Sequence, residues 1–138
     1  MVLDNPKGGL GYAAEFQSSA LPFITSSQAM TGTTYRIDFP KISRFFCIKN
    51  HDVAGNHIRF GFTRNGVERG NHYKVDGGTA AGSEVLFELR VKEIYIRSDG
   101  AFSPNYSILA GLTNIDSREM PTLSGSLPDG STGWIGVG

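Results

Sequence analysis

The stretch His57-Ile-Arg-Phe-Gly-Phe-Thr63 has the clearest strand pattern in this chain of 138 residues. Its three large apolar residues, Ile58, Phe60 and Phe62, occupy every second position. Successive side chains of an extended chain point to opposite faces, so all three fall on one face and the polar residues fall on the other. We therefore predict a half-buried strand with Ile58, Phe60 and Phe62 in the core of an all-β fold.

The sequence on either side of this strand also favours short strands and turns. Asn65-Gly66 predicts a tight hairpin, because the pair tolerates positive φ angles, and the chain is expected to return through residues 72–75. Upstream, residues 33–39 alternate until Pro40, and residues 42–49 form a more completely apolar strand that is expected to be central. Cys47 lies within it and is predicted to be a buried thiol.

A second alternating segment begins near residue 84. Val85, Phe87 and Leu89 are predicted to face the core, and a break in phase near Lys92-Glu93 indicates a bulge or a short turn. With the last strand near residues 106–110, the chain contains about seven short strands with turn signals every 8–12 residues. This spacing is typical of a single antiparallel β-sandwich or jelly roll.

The two ends of the chain differ from the middle. Residues 1–32 show no sustained period and are predicted to be an irregular N-terminal arm, residues 33–112 the sandwich body, and residues 113–138 a C-terminal arm. The C-terminal arm is rich in glycine and serine yet carries large apolar side chains, which gain about 1.5–3 kcal/mol each when fully buried. The predicted partner-binding residues are Leu127, Trp134, Ile135 and Val137.

Charge and cysteine content narrow the function further. Lys plus Arg equals Asp plus Glu at 13 each, which gives no reason to expect a nucleic-acid or membrane partner. The middle carries a formal charge of +3 (11 basic and 8 acidic residues) and the ends −3 (2 basic and 5 acidic), so an acidic arm is able to dock on a basic body. No apolar run approaches a membrane span of about 20 residues, and with no secretory leader pattern we expect synthesis in the cytosol.

Signatures of catalysis or metal binding are weak. His51, Asp52 and His57 flank one turn, but the rest of a metal-ligand set is missing, and no Gly-x-Ser-x-Gly elbow occurs. Catalysis of glycoside hydrolysis by a pair of carboxylates remains an open alternative. On an antiparallel sheet, however, the acidic residues are more simply explained as a solvent-exposed face. The candidates are Glu84, Glu88, Glu93 and Asp99. We predict no catalytic residue, no metal site and no cofactor.

Aromatic side chains leave a carbohydrate-binding alternative open. Tyr73, Tyr95, Tyr106 and Trp134 are able to present rings to a sugar, yet all except Trp134 fall within strand patterns and are explained by sheet packing. A lectin-like module is therefore the less favoured interpretation.

Residues 40–115 contain four strand-forming segments: Arg44-Phe-Phe-Cys-Ile-Lys-Asn50, Ile58-Arg-Phe-Gly-Phe-Thr-Arg-Asn-Gly66, Leu89-Arg-Val-Lys-Glu-Ile-Tyr-Ile96 and Ser107-Ile-Leu-Ala-Gly-Leu-Thr-Asn-Ile115. They resemble small structural proteins of tailed bacteriophages, particularly capsid decoration (cement) proteins. In that family a β-sandwich or jelly-roll body lies outside the capsid shell, usually as a dimer or trimer, and bridges neighbouring capsomers. The arms of the family are variable, so no arm residue is carried over.

The resemblance implies a virion structural protein that acts by binding and not as an enzyme. Its expected partners are the major capsid protein and further copies of itself, with a homotrimer favoured and a dimer possible, on the outer surface of the capsid. A phage neck, tail or fibre-associated β-domain is the alternative within the same class.

Overall fold

The computed structural model describes residues 21–78 and 84–120. These ranges form eight β-strands and one short α-helix, α1 (Arg64–Arg69), with a 3-10 turn at Ser117–Glu119. The strands are β1 (Leu21–Gln28), β2 (Thr34–Asp38), β3 (Lys41–Asn50), β4 (Ile58–Gly61), β5 (Tyr73–Val75), β6 (Glu84–Phe87), β7 (Glu93–Ser98) and β8 (Asn105–Asp116).

The strands form two antiparallel sheets of four strands each. The first sheet has the order β1-β8-β3-β6 and the second the order β2-β7-β4-β5. The first four strands thus pair with the last four in reverse order: β1 with β8, β2 with β7, β3 with β6 and β4 with β5. The chain therefore resembles one long hairpin whose successive strand pairs belong to alternate sheets. This is the arrangement of a jelly roll, and it confirms the predicted all-β sandwich.

The core lies between the two sheets and is rich in aromatic rings. Ile58 and Phe60 are almost fully buried, as predicted, and Phe62, Val85 and Phe87 are partly buried against the core. The Phe60 ring contacts the first sheet edge-on, with its centroid 5.0 Å from that of Phe87. Edge-to-face ring pairs add about 0.5–1.5 kcal/mol beyond the area they bury, so these contacts hold the sheets together.

Leu89 was wrongly predicted as a core residue. It is 40% exposed, because β6 ends at Phe87 and the chain then leaves the sheet. There the buried Ser43 on β3 binds the backbone with its side chain. Its Oγ donates to the carbonyl of Leu89 (2.7 Å) and accepts from the N–H of Val91 (3.0 Å). The alternation resumes at Glu93 in β7, which belongs to the other sheet. The break in phase that was predicted near Lys92-Glu93 is therefore the point where the chain crosses from one sheet to the other.

Asn65-Gly66 does not form the predicted two-residue hairpin. Strands β4 and β5 do pair as neighbours, but helix α1 connects them. The side chain of Thr63 accepts a hydrogen bond from the N–H of Gly66 (2.9 Å), which caps the helix, and Val67 is fully buried beneath it. A cap and a buried side chain therefore prevail over the turn preference of Asn-Gly.

The N-terminal part of the body begins earlier than the sequence suggested. Residues 21–28, which were expected to be irregular, form strand β1 and pair along their whole length with β8. Strand β8 itself continues to Asp116, beyond the predicted end of the body at residue 112. Within the described ranges no helix is long and apolar enough to cross a membrane.

Two loops at one end of the sandwich pack tightly against each other. The buried Asn50 donates from Nδ2 to the carbonyls of Asn56 (2.6 Å) and Val75 (3.1 Å). Gly77 lies so close to the first loop that a Cβ atom there would press on the carbonyl of Val53 and lie 2.7 Å from that of Asp52. Backbone atoms are not able to move aside as a flexible side chain would, so only glycine fits at this position.

Gly77→Ala is therefore expected to destabilise the protein by about 1–3 kcal/mol or more, because the added methyl group forces the two loops apart. Gly70→Ala is the matched control, since a Cβ at Gly70 meets no described atom within 4 Å. Thermal unfolding of the two variants checks this. Equal midpoints for both would contradict the tight loop packing.

Candidate interaction surface

The outer face of the first sheet carries an apolar row that crosses all four strands. Strand register places Ile24 opposite Leu109, Leu109 opposite Cys47, and Cys47 opposite Leu86. Ile24 is 72% exposed, Leu86 61% and Leu109 46%. At about 4.8 Å between strands, the row extends roughly 14 Å. We call Ile24, Leu109, Cys47 and Leu86 the outer row.

The rows next to the outer row differ on its two sides. On one side Pro22, Gly111 and Phe45 lie in register, which continues the apolar character. On the other side the face becomes polar: Ser26 and Ser107 are joined through their hydroxyls (2.9 Å), and the Lys49 ammonium lies 3.7 Å from a Glu84 carboxylate oxygen. The surface thus has an apolar centre with a polar border, which is the usual composition of a protein interface.

Cys47 lies in this surface and not in the core, so the prediction of a buried thiol was wrong. Alternation along β3 turns Phe46 and Ile48 inwards and leaves Cys47 half-exposed on the outer face. Burial, with a hydrogen bond to Glu84 (3.5 Å), raises the pKa of the Cys47 thiol. A raised pKa keeps the thiol neutral and weakly nucleophilic at neutral pH, so that it adds to the apolar row.

The outer face of the second sheet is charged. Register places Thr34 opposite Arg97, Arg97 opposite Arg59, and Arg59 opposite Lys74. We call Arg97, Arg59 and Lys74 the cation row. Like charges directly opposite each other destabilise a sheet, so the row needs anionic or polar partners.

Asp99 supplies the anion for two of these three side chains. Its carboxylate forms an ion pair with the Arg59 guanidinium and lies 3.1 Å from the Lys74 ammonium. Burial acts to raise the pKa of Asp99, but the hydrogen bonds and charges of Arg59 and Lys74 outweigh it, and the pKa is lowered. Arg97 donates instead to the carbonyl of Gly32 (3.2 Å) and the hydroxyl of Thr34 (3.0 Å).

The histidines considered as metal ligands have separate partners. His51 Nε2 is 2.7 Å from the Ser107 hydroxyl, and His57 Nε2 is 3.6 Å from an Asp76 carboxylate oxygen. In the described part of the chain no three His, Cys, Asp or Glu side chains lie together in an arrangement that could hold a metal ion.

The acidic residues considered for glycoside hydrolysis are also dispersed. Glu84 is on the first sheet beside Lys49, the buried Glu93 binds Arg36 on the second sheet (2.8 Å), and Asp99 binds the cation row. Glu88 is exposed beyond the end of β6. Three of these four carboxylates are thus engaged in ion pairs, each in a different place.

The tyrosines considered as sugar platforms are divided in the same way. Tyr106 is buried in the core, Tyr95 is half-buried on the second sheet, and Tyr73 is 53% exposed at the edge of that sheet. The predicted partner-binding residues Leu127, Trp134, Ile135 and Val137 lie outside the described residues.

The outer row was not foreseen from the sequence, although one signal pointed to it. Leu86 alternates with Val85 and Phe87 and therefore falls on the face otherwise occupied by Glu84 and Glu88. An apolar residue on a polar face is the mark of a contact surface. Comparisons with protein-family descriptions, with curated proteins and with solved structures found no match for this chain.

Asp99→Asn is expected to lower the free energy of unfolding at neutral pH by about 1–3 kcal/mol, because the amide keeps the shape but removes the charge that binds Arg59 and Lys74. Since the pKa of Asp99 is lowered in the fold, this stability is present above the ordinary aspartate pKa of about 3.9 and is lost as the pH falls through the lower folded value. Wild type and variant should therefore converge in acid.

Chemical unfolding of both proteins at neutral pH and at a pH well below 3.9 measures this difference. Asp38→Asn is the control, because the Asp38 and Arg36 side chains are 63% and 55% exposed and such pairs contribute about 0–1 kcal/mol. Equal losses from the two variants would contradict the role given to Asp99.

Proposed function

We propose that this protein is a virion structural protein that decorates and stabilises the capsid of a tailed phage, and that it attaches through the outer face of its first sheet. The observation that carries the proposal is the outer row, in which apolar side chains from four strands form one continuous exposed stripe. The resemblance to phage decoration proteins supplies the identity of the partner, the major capsid protein.

The outer row supports binding because its exposed apolar area gains from a partner. Scattered surface leucines need no explanation, but Ile24, Leu109 and Leu86 are aligned and exposed together. Apolar surface removed from water contributes about 25 cal/mol per Å². The strands beneath are fixed by their ladders, so the row is presented without an ordering cost to the backbone.

The difference between the two outer faces supports one orientation on the capsid. The first sheet offers an apolar row with a polar border, while the second offers the cation row with Asp99. Even paired charges lose their hydration when they are buried, and this cost offsets much of the attraction within the pair. We therefore place the first sheet against the shell and the second sheet in solvent.

Several weak contacts on a lattice act together, which favours an oligomer in this role. A homotrimer is the favoured state and a dimer the alternative, with the C-terminal residues Trp134, Ile135 and Val137 contacting a neighbouring copy or the shell. A jelly roll by itself does not distinguish a capsid protein from a lectin, so the proposal depends on the outer row and on the resemblance.

Leu109→Lys is expected to weaken capsid attachment about tenfold or more. Leu109 is at the centre of the outer row and 46% exposed, and loss of its contact together with burial of an ammonium group costs more than about 1.4 kcal/mol, which is a factor of ten in affinity. The measurement is co-sedimentation with empty heads assembled from a major capsid protein, taken from a gene that neighbours this one. Val53→Lys is the matched control, since Val53 is 65% exposed in the β3–β4 loop.

Three results would contradict the proposal. One is a gene without a neighbouring capsid gene, the second is wild-type protein that does not sediment with the heads, and the third is equal binding by the Leu109 and Val53 variants. A fibre or tail gene as the only structural neighbour would favour the alternative of a tail-associated domain. Light scattering of the isolated protein tests self-assembly, because a trimer has about three times the 14.9 kDa mass of one chain.

A further inference from the structure

A groove of about 340 Å³ opens at the edge of the sandwich where β5 of the second sheet faces β6 of the first. Aromatic rings form much of its lining, with Tyr73 and Phe87 in edge-on contact at 5.5 Å and Phe60 and Phe62 at 6.3 Å. Its volume lies at the lower end of the range of about 300–1,000 Å³ for ligand pockets. The groove is thus large enough for one sizeable apolar side chain and its neighbours.

The rim of the groove is apolar as well. Tyr73 is 53% exposed and Leu89 is 40% exposed, although both line the groove. These two side chains and the half-buried Phe62 would lose further apolar surface to water if an occupant lay between them. Leu89 is available at this rim because β6 ends at Phe87, two residues before it.

One of the lining residues, His72, has a buried ring atom that does not face the groove. Its Nδ1 atom is inaccessible to water and has no hydrogen-bond partner among the described residues. The surface that an occupant would meet is therefore formed mainly by apolar and aromatic side chains.

The indole of tryptophan suits such a lining, because it is a large and mainly apolar ring system that packs edge-on against other aromatic rings. The chain contains one tryptophan, Trp134, which is followed by Ile135 and Val137. A side chain of this kind is therefore present in the chain itself.

The course of the chain allows Trp134 to reach the groove. The described residues end at Met120, whose carbonyl accepts a hydrogen bond from the Lys92 ammonium (3.2 Å). Lys92 is three residues after Leu89, a span of at most about 11 Å. The 14 residues from Met120 to Trp134 cover up to about 46 Å when extended, which is enough to reach this groove or the same groove of a neighbouring copy.

We propose that the groove between β5 and β6 binds the C-terminal segment of this chain, with the Trp134 ring between Tyr73 and Leu89. This inference deepens the proposed function and rests on it in treating the C-terminal apolar residues as contact residues. It names the surface that receives them and is separate from the outer row.

Trp134 reports its own environment, because it is the only tryptophan in the chain. In the full-length protein its fluorescence should be blue-shifted relative to a free peptide of residues 121–138 and shielded from acrylamide. Leu89→Lys should shift the emission to the red and raise acrylamide quenching severalfold, while Val53→Lys leaves both unchanged. Tyr73→Ser is a second rim variant if the first one fails to fold.

An emission maximum equal to that of the free peptide overturns the proposal. So does emission that neither Leu89→Lys nor Tyr73→Ser changes in a folded protein, as judged by far-UV circular dichroism.

Complementation distinguishes a neighbour's groove from the chain's own. The Trp134→Phe chain has an intact groove and no tryptophan, and the Leu89→Lys chain has the tryptophan and a blocked groove. When the two are co-expressed, a restored blue shift supports binding between copies. A red emission that persists, after Leu89→Lys alone has shifted it, supports binding within one chain.

The two proposals fail in different ways. Binding within one chain supports the groove as the site of Trp134 but contradicts an intermolecular role for the C-terminal residues. Loss of capsid attachment in Leu109→Lys with an unchanged Trp134 emission in Leu89→Lys supports the outer row and removes the groove. The opposite pair of results supports the groove and removes the outer row.

Discussion

The register of β3 against β8 is the constraint on which the rest of this structure depends. These are the two inner strands of the first sheet and its longest, and they pair from Lys41 opposite Asp116 to Asn50 opposite Tyr106. A shift of one residue would turn every side chain to the other face. The same register that buries Phe46 and Ile48 therefore also places Cys47 beside Leu109 on the outside.

Much of the fold was predictable because it depends on local alternation. Ile58 and Phe60 are in the core, as their alternation with polar residues indicates. The strands that carry these residues and Phe46 were predicted as well. The errors arose where single side chains prevail over a local pattern. Ser43, 46 residues before Leu89, binds the backbone of Leu89 with its hydroxyl beyond the end of β6. In the same way the Thr63 cap and the burial of Val67 convert a predicted hairpin into a helix.

The candidate surfaces could not be derived from the sequence, because each is assembled from separate parts of the chain. The outer row joins residues 24, 47, 86 and 109, and its first member lies in a segment that has no clear period. Only Leu86, on a face with glutamates, gave a local signal. The groove depends on the pairing of β4 with β5 and on the contact of Tyr73 with Phe87 across the sheets, and neither the register nor this contact is encoded in a short window.

Under the proposed function, the cation row has a consequence for the particle as a whole. If the body attaches by its apolar face, the second sheet turns guanidinium, ammonium and carboxylate groups towards the solvent, and such groups hold water strongly. Arg59 and Lys74 share the single carboxylate of Asp99, so the cation row keeps an excess of positive charge. A capsid coated as proposed would carry this charge on every copy, and like charges oppose adhesion when particles collide. In such a coat the second sheet would govern colloidal behaviour, a property that belongs to the assembled particle and to no single chain.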